Sequence, residues 1–151
     1  MPNWCHNRIT IYGDSETEAK LKEIEETFRK AEPFNEIFPI PDFKNIPYKG
    51  ELPKTIEHKN PNTGEVSFVT SEFPDGTNDD RWYHWCIDNW GTKWDACDKS
   101  IEMSDYDSLE LTFNTAWSPP EGIVEKLREK YPELSFQCFY DEPGMEAAGY
   151  Y

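Results

Sequence analysis

An α+β fold, a four-stranded antiparallel sheet with two helices on one face, is predicted by three observations. Short runs of alternating apolar residues stand near both ends of the chain, and two amphipathic stretches carry helix-start signals. The order of the pieces is strand, helix, long insertion with a short helix, strand, strand, helix, strand. A length of 151 residues fits one domain, residues 1–151, around a single core.

Each element has a local reason. Ile9 and Ile11 alternate with Arg8, Thr10 and Tyr12, which predicts a strand over 8–12 that Gly13 and Asp14 end. Ser15 and Glu18 have capping-box spacing, and Leu21, Ile24, Phe28 and Ala31 then recur every three or four residues until Pro33. Residues 33–77 differ in character: seven prolines fall from Pro33 to Pro74 without a sustained period, so a long Pro- and aromatic-rich insertion is expected between the first helix and the second strand. Inside it an Asn-Pro-Asn-Thr-Gly turn, flanked by Ile56, His58, Val66 and Phe68, predicts a small exposed hairpin from Glu57 to Thr70.

From Asn78 or Asp79 the spacing of Trp82, Trp85, Cys86 and Trp90 predicts a short helix, with Gly91 where a helix C-terminal glycine belongs. Ile101 and Met103, the acidic turn SDYDS, then Leu109, Leu111 and Phe113 form a hairpin pattern with one buried face. Ser118 and Glu121 repeat the capping-box spacing around two prolines, and Ile123, Val124, Leu127 and Tyr131 make a helical stripe. Leu134, Phe136, Cys138 and Tyr140 alternate as a last strand. This order is the split βαβ (βαββαβ) arrangement of ferredoxin-like folds, a matter of topology that implies no iron–sulfur cluster. The insertion is the candidate cover for the second face of the sheet.

Composition narrows the function. Thirty acidic residues against fifteen basic ones leave a formal charge of −15, which opposes direct nucleic-acid binding and anionic membranes. Only 36% of residues are hydrophobic yet 15% are aromatic, so the core is built from few, large side chains. No apolar run approaches a membrane span and MPNWCHNRIT lacks the features of a signal peptide, so a cytoplasmic protein is expected. The four cysteines are widely spaced, as buried thiols in a reducing compartment are. Cys5 with His6, or Cys86 with His84, offers a thiol or zinc alternative, but neither pair has the spacing of a metal or thiol site. No catalytic residue, metal or cofactor is assigned. No feature of the sequence sets an oligomeric state.

Four stretches, PNWCHNRITIYG, NWGTKWDA, TFNTAWSPP and YDEPGMEAAG, lie in order along the chain. They resemble the signature stretches of the YubB-like family of ferredoxin-like-domain proteins. The resemblance implies a ferredoxin-like fold and a setting on phages, plasmids and their bacterial hosts, and it implies no activity and no catalytic residue.

The predicted topology carries Asn3, Trp4, Asn7, Trp90, Lys93, Trp94, Thr115, Trp117, Tyr140 and Glu142 toward one region of the sheet. Indole and phenol rings give rigid stacking area with one polar handle, and amides, hydroxyls and an ammonium add directional bonds. Trp4, Trp90, Trp94 and Trp117 read as readily as ordinary core, with Asn3 and Asn7 capping buried backbone and Gly144 supplying a turn, and Lys93 reads as the partner of Asp95 or Glu142. The function expected is a non-catalytic binding module that sequesters a small, nucleotide-like ligand in an aromatic groove, in the counter-defence role that the family's setting implies. The alternatives are an acidic decoy that mimics DNA to inhibit a host defence protein, and a zinc- or carboxylate-dependent enzyme.

Overall fold

The computed structural model describes residues 1–105 and 107–151. The chain forms two compact units, Met1–Pro39 with Trp85–Tyr151, and Ile40–His84.

In the first unit β1 (Trp4–Tyr12) is the central strand, antiparallel to β5 (Ser108–Ala116) on one side and to β6 (Ser135–Glu142) on the other. Outside these lie β4 (Cys97–Ser104) and β7 (Ala147–Tyr150), in the order β4-β5-β1-β6-β7. The sheet therefore has five strands, where four are predicted. The added strand follows a 3-10 turn at Pro143–Met145, and Glu146 completes the reversal at φ 53°. Its sequence, AAGY, is too short and too small in side chain to show a hydrophobic period. β1 begins at Trp4, four residues before the predicted start, because Cys5 and Asn7 continue the buried side of Ile9 and Ile11. A polar Asn in the inward row conceals that alternation. The turn SDYDS between β4 and β5 includes Tyr106, which lies outside the described residues.

The inward row of β1 and Leu109, Leu111 and Phe113 of β5 form the sheet half of the core. The helical half comes from Leu21, Ile24 and Phe28 of α1 (Glu18–Arg29), and from Ile123, Val124 and Leu127 of the later helix Glu121–Lys130. Phe28 and Phe113 tie helix to sheet with ring centres 5.8 Å apart. Both predicted capping boxes are replaced. Asp14, not Ser15, orders the start of α1, since its Oδ1 accepts from the amides of Glu16 and Thr17 at 2.9 and 3.0 Å. The Ser118 hydroxyl donates to the Gly91 carbonyl, away from the helix that follows it.

A short helix inside the predicted irregular stretch, α2 (Pro33–Ile37), is held from afar. Asp95 Oδ1 and Oδ2 accept from the amides of Phe34 and Asn35, each at 3.0 Å. A carboxylate suits this end of a helix, where orphan N–H groups and the dipole both favour negative charge. The predicted helix before Gly91 is α3 (Arg81–Trp90), and Gly91 ends it at φ 90°. The helix at Glu121–Lys130 is α4. Gly122 lets α4 approach α3, because a Cβ there would lie 1.7 Å from the Asn89 carbonyl oxygen.

The other face of the sheet is open and mainly polar, with Phe139 and Tyr150 among its residues. His6, Arg8, Tyr12, Glu110, Gln137 and Asp141 are all exposed. Such residues keep their hydration at a sheet face.

The second unit holds the predicted hairpin, β2 (Lys54–Lys59) paired with β3 (Val66–Glu72). Its turn closes through Asn60 N–H to the Glu65 carbonyl and Gly64 N–H to the Asn60 carbonyl, both 2.8 Å. Arg81 organises the rest. Its guanidinium donates to both Asp79 oxygens at 2.8 and 2.9 Å and to the Phe43 carbonyl at 2.7 Å. It also lies over the rings of Phe43, Tyr48 and Phe73 at 5.0, 5.8 and 5.5 Å.

Candidate functional site

The register of the sheet explains why distant stretches meet. Trp4 pairs with Ala116 and His6 with Asp141, so the start of β1, the end of β5 and the end of β6 share one end of the sheet. Trp117 N–H donates to the Asn3 carbonyl at 2.9 Å, and the Thr92 hydroxyl donates to the Ala116 carbonyl at 2.9 Å, which brings in the segment after α3. Trp94 then stands beside Trp4, ring centres 6.4 Å apart.

The ten predicted residues separate into two layers. Asn7, Trp90, Thr115 and Glu142 are buried. Asn7 Nδ2 donates to the Thr115 hydroxyl at 2.9 Å and to the Cys5 carbonyl at 3.1 Å, while Asn7 Oδ1 accepts from the Tyr151 hydroxyl at 2.9 Å. The Thr115 hydroxyl in turn donates to the Ser118 carbonyl at 2.7 Å. Trp90, 2% exposed, gives its indole N–H to the Phe38 carbonyl at 2.9 Å and meets Phe34 edge to face. It is core, and its place among ligand-facing residues is corrected. A ring that ends a helix facing the sheet is packed before it can be presented. Glu142, 1% exposed, accepts from the Met145 amide through Oε2, and its Oε1 has no hydrogen-bond partner among the described residues. Gly144 is required beside it, since a Cβ there would lie 2.6 Å from Asn3 Nδ2 and 3.0 Å from Glu142 Oε1.

The outer layer is what solvent meets. Trp94 is 41% exposed and Trp117 45%, with Asn3, Trp4, Lys93 and Tyr140 partly so. Trp117 sits at φ 71°, a left-handed backbone that costs a bulky residue of order 1–2 kcal/mol. Lys93 pairs with neither Asp95 nor Glu142. Asp95 is engaged with α2, and the Lys93 ammonium lies 4.2 Å from the centre of the Trp94 ring.

Thiol chemistry finds no support in the geometry. Cys5 and His6 are strand neighbours and point to opposite faces of the sheet. Burial pushes the thiols of Cys5, Cys86 and Cys138 up to about 11, far from thiolate at neutral pH. His84 Nε2 lies instead 3.5 Å from Asp80 Oδ2. Among the described residues no three His, Cys, Asp or Glu side chains converge to hold a metal. No helix is long and apolar enough to cross a membrane, again among the described residues.

Two kinds of hollow lie elsewhere in this unit. A cavity of about 590 Å³ opens between α1, α2 and α4, but most of its charges answer one another: Lys130 with Glu23 at 3.0 Å, Lys30 with Glu36 at 3.2 Å and Lys126 with Glu129 at 3.5 Å. Smaller hollows of about 280 and 240 Å³ lie on the open sheet face, around His6, Arg8 and Phe139. Arg8, Asn114 and Phe139 escape a reading of the sequence. The signal available was the polar row His6, Arg8 and Thr10 outside the inward row of β1.

The strand order with its intervening helices defines a ferredoxin-like α+β domain. Residues 89–151 match a family model described as the ferredoxin-like domain in Api92-like protein. Three of the four stretches singled out in the sequence lie within that match. The crystal structure of the protein Api92 from Yersinia pseudotuberculosis is similar in fold, with a TM-score of 0.56 and 11% identity over 99% of this chain and 93% of that one. At that identity the likeness concerns the fold alone. No curated protein matches the chain.

Proposed function

We propose that the chain is a non-catalytic binding module that holds a small planar ligand against the Trp4–Trp94 surface at the Asn3 end of the sheet. The observation that carries this reading is that indole pair, supplied by two distant stretches and left partly open to solvent. Stacking on such rings is worth roughly 1–3 kcal/mol per base-like ring. The Asn7–Thr115–Ser118 network beneath supports a rigid platform, and Lys93 places a positive charge at its rim. Preorganisation of this kind lowers the ordering cost of binding. Sequestration of a nucleotide-like ligand in counter-defence, on a phage or plasmid, is the finer part of the proposal and rests on the resemblance to the YubB-like family.

The test is a tryptophan-fluorescence titration with a set of nucleotides and nucleosides. Binding that Trp94→Ala weakens by about tenfold, ~1.4 kcal/mol, with little change in melting temperature, supports the reading. No response to any member of the set, together with salt-sensitive capture of a basic protein, overturns it in favour of the acidic decoy.

A further inference from the structure

The open face of the sheet carries a second polar arrangement that uses none of the tryptophans. The register places Asn114 of β5 and Asp141 of β6 on either side of His6. His6 Nδ1 lies 2.6 Å from Asn114 Oδ1, and Asn114 Nδ2 donates to Asp98 Oδ2 at 3.1 Å. A carboxylate only accepts, so Asn114 must turn its amide N–H to Asp98 and its carbonyl oxygen to His6. That oxygen in turn only accepts. His6 Nδ1 therefore carries a proton, and in the neutral ring Nε2 is a bare acceptor.

Around this imidazole lies the hollow of about 280 Å³, lined also by Arg8, Thr112, Phe139 and Asp141. Arg8 and Phe139 border the adjoining hollow too, where Tyr150 stands 5.2 Å from Phe139, centre to centre. The Arg8 guanidinium carbon is 5.7 Å from the centre of the Phe139 ring, and Arg8 forms no ion pair among the described residues. A planar cation laid on an aromatic ring offers its second face to another flat group. Charge sets a further condition. Asp98, Glu110 and Asp141 share this face and oppose a phosphate or carboxylate, while Arg8 opposes a cation.

We infer that this trough binds an uncharged planar heterocycle of nucleoside size, whose N–H donor meets His6 Nε2 while the Arg8 guanidinium covers its ring. Asn114 and Asp98 are positioning residues, holding the imidazole in the tautomer that accepts. The trough uses none of the tryptophans.

Adenosine, with adenosine monophosphate as its charged counterpart, is titrated into the isotope-labelled chain and followed by NMR. The nitrogen shifts of His6 should report the Nδ1–H tautomer, and adenosine should move the signals of His6, Arg8 and Phe139. The monophosphate should bind about tenfold more weakly. His6→Phe should abolish the shifts at Arg8 and Phe139, His6→Gln, which keeps an acceptor, should retain part of them, and Trp94→Ala should leave the shifts at these two residues intact whatever it does to binding at the tryptophan surface. An Nε2–H tautomer, unmoved signals at these three residues, a monophosphate that binds as tightly as adenosine, or shifts at Arg8 and Phe139 lost in Trp94→Ala but kept in His6→Phe would each overturn the inference.

Discussion

β5 and β3 are both antiparallel strands, of nine and seven residues, yet they meet water in opposite ways. Along β5 every second residue is buried from Leu109 to Thr115, whereas no residue of β3 is buried, and Phe68 and Val69 stand open. The difference lies in what each strand has to lie against. β5 has strands on both sides and helices over one face; β3 has a single partner, and a two-stranded ribbon has no inside. The second unit compensates with directional contacts. Pro53 and Asp79 are its only buried residues among those described, and its anchor is a guanidinium among three rings.

The sharpest way to break the comparison is to empty both sides equally. Phe113→Ala, which removes a ring packed against Phe28 and Phe34, should cost about 3–5 kcal/mol by denaturant unfolding. A middle effect is expected at the anchor of the second unit. Asp79→Asn removes a charged acceptor from Arg81 and should cost about 1.5–3 kcal/mol, seen as faster amide exchange within Ile40–His84. The hydrogen bond from Arg81 holds the Asp79 carboxyl below its ordinary 3.8, so the folded form binds its proton less readily than the unfolded chain. This stabilisation is present at neutral pH and is lost as pH falls below that ordinary value through the folded one. The smallest effect belongs to the ribbon: Phe68→Ala, though it unstacks His58 at 4.4 Å, should change stability by about 0.5 kcal/mol or less. A loss at Phe68 comparable with that at Phe113 would show that the ribbon is packed in solution.

What could be read in the sequence follows the same division. The strands facing the core announce themselves by period, as do α1 and α4, because burial of one face is a local pattern. α2 and β7 do not, since the first depends on a carboxylate some sixty residues away and the second on a turn that lays Ala-Ala-Gly-Tyr against β6. For the site, topology was enough to gather the end of the sheet. Which residue faces inward was decided by the parity of β1, and that parity was hidden until the strand was known to begin at Trp4. Asn7 and Thr115 were thus grouped with Trp94, although one pair lies under the surface and the other residue forms it. The trough around His6 went unread because Arg8, Asp98 and Asn114 are the residues any solvated strand displays.

The hold of Asp95 on α2 has a kinetic consequence. A helix of five residues does not persist alone in water, and the carboxylate that receives its amides arrives only after the whole intervening segment has been looped out. α2 is therefore expected to form no earlier than that closure, and protection of the amides of Phe34 and Asn35 in pulsed hydrogen exchange would time the moment at which the two halves of the first unit meet.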